Sequence, residues 1–213
     1  KYMRVFKFGG ASVKDADAIK NVVNVLREVG YSDTLVVISA MGKITNAMEK
    51  VVESYFNDKD AVQESLQQVV EYHNNILLDL FQNPNHPVFD KVKVLFEEVK
   101  GFLAWNKSPK YAFVYDQVVC YGELLSTTIV SAYLNEIGIS NTWVDVRTLI
   151  KTDSSNRDAQ VNWERTQQEV VSKVDISKLN ITQGFLGSDD NNFTTTLGRE
   201  GSDYSAAILA YCL

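Results

Sequence analysis

The chain has 213 residues, of which 45% are hydrophobic and 23% are charged, so it is long enough to bury the core of one globular domain. Its 21 basic residues are scattered among 27 acidic ones, which argues against a nucleic-acid partner because a phosphate backbone requires clustered Lys and Arg. No run of roughly 18 apolar residues indicates a membrane partner, and the two cysteines, Cys120 and Cys212, give no disulfide framework and favour a cytoplasmic location.

The first half of the chain alternates between strand and helix patterns. Residues 5–8 form a short strand-like run that stops at two glycines, and apolar residues at helical spacing follow from 15 to 29. The nearly unbroken β-branched run 35–40 predicts a parallel strand covered on both faces. A second glycine turn and a second helix pattern follow it.

The rest of the chain continues this alternation after a long helical part. Residues 61–104 have a helical pattern interrupted by the Pro-containing segment 83–87. Strand-like runs return at 142–146 and 180–185, on either side of a polar loop at 151–162. We therefore predict an α/β fold with a mostly parallel sheet and a helical insertion. Ligands of such sheets bind beyond the carboxyl ends of the strands, so four strand-to-helix or helix-start turns are candidate sites.

The first candidate turn, residues 7–12, places Lys7 at the end of a strand and two glycines before a helix. Accessible backbone N–H groups, a helix N-terminus and an ammonium group together favour a bound anion. The turn is neither a Walker A loop nor a GxGxxG dinucleotide turn. The alternative is a plain glycine turn beside a surface lysine.

The second candidate turn, residues 39–46, combines the hydroxyl groups of Ser39 and Thr45 with a glycine and a lysine around a helix start. Such a set can hold a carboxylate. The alternative is that Ser39 or Thr45 caps the helix, which is the commoner use of these residue types.

The third candidate is Glu123, which follows a glycine in an otherwise apolar stretch. Burial of a carboxylate is unfavourable unless positive charge meets it, and the α-ammonium group of an amino acid would serve. Taken alone, Glu123 is more simply interpreted as a solvent-facing helix residue, because glutamate is mostly exposed in proteins.

The fourth candidate, residues 194–205, carries the strongest signal. Glycines lie on both sides of Arg199, whose guanidinium group can bind a carboxylate bidentately, and Ser202 and Asp203 fall at a helix start. An acidic residue at a helix N-terminus is also ordinary capping, so Asp203 by itself is weak evidence. The threonine run, the arginine among glycines and the Ser-Asp pair together are harder to explain as a cap.

In this order, the four turns resemble the aspartate kinase branch of the amino acid kinase family. That family has a KFGG(T/S)S turn, an SA…G…T(N/D) turn, a GE near a helix start, and TTLGRGGSDY(T/S)A. Residues 7–12, 39–46, 122–126 and 194–206 match these blocks, so the resemblance covers nearly the whole chain. It implies a three-layer αβα sandwich and transfer of the γ-phosphoryl group of ATP to the β-carboxylate of L-aspartate, the first step toward lysine, threonine and methionine.

The resemblance also implies residue roles. The ATP phosphates are expected to contact Lys7, Phe8, Gly9 and Gly10. Aspartate is expected to contact Ser39, Thr45, Glu123, Arg199 and Ser202. Arg199 would bind the α-carboxylate and Glu123 the ammonium group, while Lys7 and Asp203 would be catalytic, with Asp203 organising the lysines on the phosphate side. Mg²⁺ is expected to arrive with ATP.

Two residues depart from the family pattern. Ala11 stands where Thr or Ser is usual, and Glu200 replaces a glycine beside Arg199. The first change removes a side-chain contact but not the backbone amides, and the second places negative charge next to an anion site. From the resemblance we expect residues 1–213 to be a catalytic domain incomplete on its C-terminal, nucleotide side, inactive alone, with a helical insertion at about 58–120 and no ACT regulatory domains. The full-length enzyme is expected to be a homo-oligomer.

Two other functions fit parts of this pattern. An acetylglutamate or uridylate kinase would share the lysine and glycine turn but not the Gly-Arg-x-Gly-Ser-Asp-Tyr block. A non-catalytic amino-acid-binding or assembly module would need Arg199 and Glu123 but not Lys7 beside two glycines. His73 and His86 have no partners at ligand spacing, so we expect no metal held by the protein.

Overall fold

The computed structural model describes residues 2–198 and 201–213. The six strands within these ranges are β1 (Arg4–Phe8), β2 (Thr34–Ile38), β3 (Thr142–Val144), β4 (Asn180–Gln183), β5 (Leu186–Ser188) and β6 (Thr194–Thr196). The eight α-helices of the same ranges are α1 (Ala16–Val29), α2 (Ile44–Asn57), α3 (Val62–Leu80), α4 (Pro87–Trp105), α5 (Tyr111–Val119), α6 (Tyr121–Glu136), α7 (Trp163–Lys173) and α8 (Gly201–Cys212).

The main sheet is parallel throughout and has the strand order β1-β2-β4-β3. Strands β5 and β6 form a separate antiparallel pair directly after β4. Because the four strands of the main sheet are parallel, their carboxyl ends lie along one edge of the sheet. The turns that follow β1, β2 and β4 are therefore brought close together.

The central strand β2 shows why helices cover both faces of the sheet. All five of its residues are buried. Val36 and Ile38 belong to one hydrophobic cluster, which α1 to α6 supply, whereas Leu35 and Val37 belong to another, which includes side chains of α7 and α8. Successive side chains of a strand point to opposite faces, so a continuous apolar run needs cover on both. The predicted α/β fold with a mostly parallel sheet is confirmed.

The helical part between β2 and β3 is divided where the sequence indicated. Helix α3 ends at Leu80 and α4 begins at Pro87, which takes the first helical position, where a missing N–H costs nothing. Both helices pack into the same hydrophobic cluster as α1 and α2. None of the helices in the described ranges has the length and apolar character needed to cross a bilayer.

Strand boundaries differ slightly from the sequence prediction. The strand expected at 142–146 ends at Val144, because the backbone turns into a single 3₁₀ turn at Val146–Thr148, where the side chain of Asp145 accepts a hydrogen bond from the N–H of Arg147. The strand expected at 180–185 ends at Gln183, before a reversal at Phe185 starts the β5–β6 pair.

Candidate active site

The carboxyl ends of β1, β2 and β4 and the first turns of α6 and α8 surround one pocket with a cavity of about 260 Å³. It is lined by Lys7, Ser39, Thr45, Glu123, Phe185, Gly198, Gly201, Ser202 and Asp203. All four turns selected from the sequence contribute residues to the lining of this pocket. Phe8, Gly9 and Gly10 form the turn beside it. Arg199, predicted to bind a carboxylate, lies outside the described residues, as does Glu200.

The first turn brings a lysine against a glycine backbone. The ammonium nitrogen of Lys7 lies 3.1 Å from Oδ1 of Asp203, in the first turn of α8. A Cβ atom placed on Gly9 would lie only 3.3 Å from the same nitrogen, so the lysine folds back over the turn. Lys7 is therefore held at the pocket by an ion pair, although its side chain remains partly exposed.

The first and second turns are locked together by close backbone contact. The N–H of Gly42 donates to the carbonyl oxygen of Gly10 at 2.9 Å, and that of Ser39 donates to the carbonyl of Phe8 at 3.1 Å. A Cβ atom on Gly10 would lie 2.9 Å from the carbonyl oxygens of Ala40 and Gly42. Only glycine fits this approach, which fixes the position of the lysine turn relative to the hydroxyl turn.

The second turn joins the fourth through two hydroxyl groups. The Ser39 hydroxyl donates to the hydroxyl oxygen of Ser202 at 2.8 Å. Helix α2 begins after Lys43 without a capping side chain, so the alternative in which Ser39 or Thr45 caps this helix is wrong. Ser202 itself rests on Gly184, at the end of β4, where an added Cβ atom would lie 2.8 Å from the Cα of Ser202.

Glu123 lies in the first turn of α6 and is only 3% exposed. Its Oε1 accepts a long hydrogen bond of 3.4 Å from the N–H of Ala40, while its Oε2 has no hydrogen-bond partner among the described residues. Burial raises the pKa of this carboxyl to about 8. The interpretation of Glu123 as a solvent-facing residue is wrong. A buried acid that lines a pocket and has an unpartnered oxygen is suited to receive a cationic group of a ligand.

Phe185 is part of the pocket wall but was not selected as a site residue from the sequence. Its φ of 73° lies in the left-handed region, which is unfavourable for a residue with a side chain. Two hydrogen bonds hold this conformation. The N–H of Phe185 donates to Ser205 Oγ at 2.8 Å, and the carbonyl oxygen of Phe185 accepts from the N–H of Leu197 at 2.9 Å. The Gly-Phe pair after a buried strand was the available signal.

The two histidines take no part in the pocket. His73 is buried in α3, and His86 Nε2 lies 3.1 Å from a carboxylate oxygen of Glu136. In the described ranges, no group of three or more His, Cys, Asp or Glu side chains is arranged to hold a metal ion.

The chain is similar to known proteins in both sequence and structure. The sequence profile of the amino acid kinase family matches residues 3–213. The chain belongs to the amino acid kinase family. Among curated members, it is 31% identical to the lysine-sensitive aspartokinase 3 of Escherichia coli over 229 residues, covering 98% of this chain and 46% of that protein. It is 30% identical to the chloroplastic bifunctional aspartokinase/homoserine dehydrogenase 1 of Arabidopsis thaliana over 217 residues, covering 97% of this chain and 23% of that protein.

Solved structures agree with this assignment to the amino acid kinase family. The crystal structure of E. coli aspartokinase III in complex with aspartate and ADP superposes with a TM-score of 0.89 at 30% identity, covering 99% of this chain and 46% of that one. An aspartate kinase from Clostridium acetobutylicum has the same fold, with a TM-score of 0.77 at 22% identity. The chain thus spans less than half the length of these relatives.

Proposed function

We propose that this chain binds L-aspartate and the phosphates of ATP in the pocket described above, as the catalytic part of an aspartate kinase. The observation that carries the proposal is the position of the Lys7–Asp203 ion pair on the same cavity as the buried carboxyl of Glu123. One wall thus offers positive charge beside a glycine turn, and the other offers an acceptor for an ammonium group.

The substrate roles follow from the chemistry of each group. Glu123 accepts the α-ammonium group of aspartate, because that charge satisfies the free Oε2. The hydroxyl groups of Ser39, Thr45 and Ser202 can donate hydrogen bonds to carboxylate oxygens. Arg199 lies in the sequence between Gly198 and Gly201, which both line the pocket, and it is proposed for the α-carboxylate, since a guanidinium group binds carboxylates bidentately.

The proposed reaction forms an acyl phosphate. One oxygen of the β-carboxylate of aspartate forms a bond to the γ-phosphorus of ATP, and the bond from that phosphorus to the bridging oxygen breaks, so that ADP leaves and 4-phospho-L-aspartate results. A carboxylate needs no strong base to attack, so positioning and positive charge are the main contributions of the protein. Lys7 supplies the charge, and Asp203 holds its ammonium group over the turn.

Mg²⁺ is proposed to reach the pocket on the phosphate oxygens of ATP, since this ion keeps several waters and binds readily through substrate phosphates. The reaction is the first step toward lysine, threonine and methionine. We also propose a cytoplasmic location, which two unpaired, buried cysteines suit, and a homo-oligomer for the intact enzyme.

The relatives support this proposal. The crystallised E. coli aspartokinase III holds aspartate and ADP, and the E. coli relative with 31% identity is a lysine-sensitive aspartokinase. Because the chain spans under half of these proteins, the activity is best tested on the intact protein in which it occurs.

The test is ATP-dependent formation of an acyl phosphate, trapped with hydroxylamine as a hydroxamate, in parallel with ADP release. Aspartate should support both signals, whereas N-acetylglutamate and UMP should support neither. A stronger response to either of those would replace the proposal with another kinase of this family. Isothermal titration with aspartate and with a non-hydrolysable ATP analogue should show binding of both; binding of aspartate alone would favour a non-catalytic module.

A further inference from the structure

Asp116, in α5, is a fully buried carboxylate that does not line the pocket. Its Oδ1 accepts a hydrogen bond from the hydroxyl group of Thr196 at 2.7 Å, and its Oδ2 accepts from the backbone N–H groups of Thr196 and Arg157, both at 3.2 Å. All three partners are donors, so the carboxylate form satisfies each of them. Desolvating a carboxylate is costly, and burial raises the pKa of Asp116 to about 7, while the contacts to two separate backbone segments offset part of that cost.

Side chains of α5 complete one edge of strand β6. On its other edge, β6 pairs with β5 through the backbone. On the α5 side, the amide group of Gln117 donates to the carbonyl of Thr194 at 2.8 Å and accepts from its N–H at 3.2 Å. Asp116 accepts hydrogen bonds from the N–H and the hydroxyl group of Thr196. Strand β6 is therefore held from both sides over its whole length.

The same carboxylate also fixes the loop that supports the pocket wall. Arg157 adopts a left-handed conformation with a φ of 67°, and its guanidinium group stacks 4.1 Å above the ring of Tyr115. A Cβ atom added to Gly198 would lie 3.2 Å from the carbonyl oxygen of Arg157. The N–H of Ala159 donates to the carbonyl of Thr196 at 3.0 Å. Asp116 thus contacts both the strand that leads to Gly198 and the loop against which Gly198 packs.

We propose that Asp116 is a positioning residue for the substrate half of the pocket. It acts through Thr196 and Arg157, which keep Gly198 in the pocket wall, and it does not touch the substrate itself. This inference rests on the proposed function in one respect: it takes aspartate as the amino acid that binds beside Gly198. The lysine and glycine turn is built from β1 and β2 rather than β6, so disturbing Asp116 should weaken aspartate binding while leaving nucleotide binding unchanged.

The test uses isothermal titration of the intact protein with aspartate and with a non-hydrolysable ATP analogue. Asp116→Leu keeps a branched side chain of similar shape but removes both acceptor oxygens, so the affinity for aspartate should fall at least about tenfold. Thr196→Val removes the hydroxyl donor and should act in the same direction, whereas Thr196→Ser keeps it and should retain affinity. Val92→Ala, in the buried core of α4, controls for general destabilisation and should bind both ligands normally.

Three results would overturn the proposal: wild-type aspartate affinity in Asp116→Leu, equal weakening of both ligands, or equal weakening by Thr196→Ser and Thr196→Val. If Asp116→Leu does not fold, the comparison of Thr196→Val with Thr196→Ser tests the proposal by itself. If the wild-type protein binds no aspartate, the proposed function fails. Amide hydrogen exchange then tests separately whether Asp116 positions Thr196 and Arg157. Exchange at the N–H groups of Thr196 and Arg157 should be faster in Asp116→Leu without any ligand, and unchanged exchange would contradict the role.

Discussion

The ammonium group of Lys7, at the end of β1, lies 3.1 Å from the carboxylate of Asp203, at the start of α8. This contact joins the two ends of the described chain across the pocket and places the ammonium group over the backbone of Gly9. The ion pair is half-exposed, so its main effect is on position rather than on stability.

Replacing Lys7 should therefore impair turnover more than folding. In Lys7→Met we expect kcat for aspartate-dependent ADP release to fall by about 10²- to 10³-fold, as is typical when one charge-stabilising group is removed. Lys20→Met, on the exposed face of α1, is the matched control and should keep normal turnover. Near-normal turnover in Lys7→Met would contradict the catalytic role.

Glu123 predicts an aspartate affinity that increases with pH. Burial raises the pKa of its carboxyl to about 8, so the empty pocket holds mostly the neutral acid at neutral pH. A bound ammonium group favours the carboxylate, so binding releases a proton. Below the raised pKa, the Kd for aspartate should fall by up to about tenfold per pH unit as the pH rises, and it should then level off. Isothermal titration across this range measures the trend.

The control for this trend is Glu123→Gln, which keeps the side-chain shape but cannot ionise. It should bind aspartate more weakly and without the pH slope. A wild-type affinity that does not vary with pH, or a slope that persists in the variant, would rule out Glu123 as the ammonium acceptor.

The elements with strong hydrophobic periodicity were predictable from the sequence. Strand β2 and helices α1 and α3 have patterns fixed by their own residues, since burial on both faces or on one helix face selects the residue types locally. Strands β5 and β6 were not predicted, because each has three residues and its pairing depends on contacts with other segments.

The candidate site was predictable only in part, for a related reason. Glutamate side chains are mostly exposed in proteins, so the sequence favours exposure of Glu123. Its burial follows from the packing of α6 on the second turn, where a Cβ atom on Gly122 would lie 3.0 Å from Ala40 Cβ. Asp116 was likewise not recognised, although an acid within the largely apolar run Tyr111–Val119 was a usable signal. Its partners, Thr196 and Arg157, come from distant segments that no local pattern connects to it.

Glycine at position 184 is required for the start of α8 to rest on β4. In Gly184→Ala the new methyl group would lie 2.8 Å from the Cα of Ser202, so the backbone must shift. We expect a loss of about 1 to 3 kcal/mol in the free energy of unfolding, together with weaker aspartate binding. Gly101→Ala is the matched control: nothing lies within 4 Å of its Cβ position, about one turn before the end of α4, so alanine should raise stability by up to about 1 kcal/mol. Urea unfolding measures the stability of the two variants. Normal stability together with normal aspartate binding in Gly184→Ala would contradict the requirement for glycine where α8 packs on the end of β4.

His73 predicts a loss of stability in mild acid. It is fully buried in α3 beside the rings of Tyr72 and Phe96, with its Nδ1 at 2.7 Å from the carbonyl oxygen of Val69. Burial lowers its pKa to about 4 from an ordinary 6.5, so the unfolded chain takes up a proton at this residue before the folded protein does. The stability that depends on neutral His73 is therefore present above the ordinary value and is lost as the pH falls toward about 4, with a slope approaching about 1.4 kcal/mol per unit. Urea unfolding at a series of pH values should show this slope in the wild type. The slope should be shallower in His73→Leu, whose side chain is apolar, similar in size and unable to take up a proton. Equal slopes in the two proteins would show that His73 does not cause the loss of stability in acid.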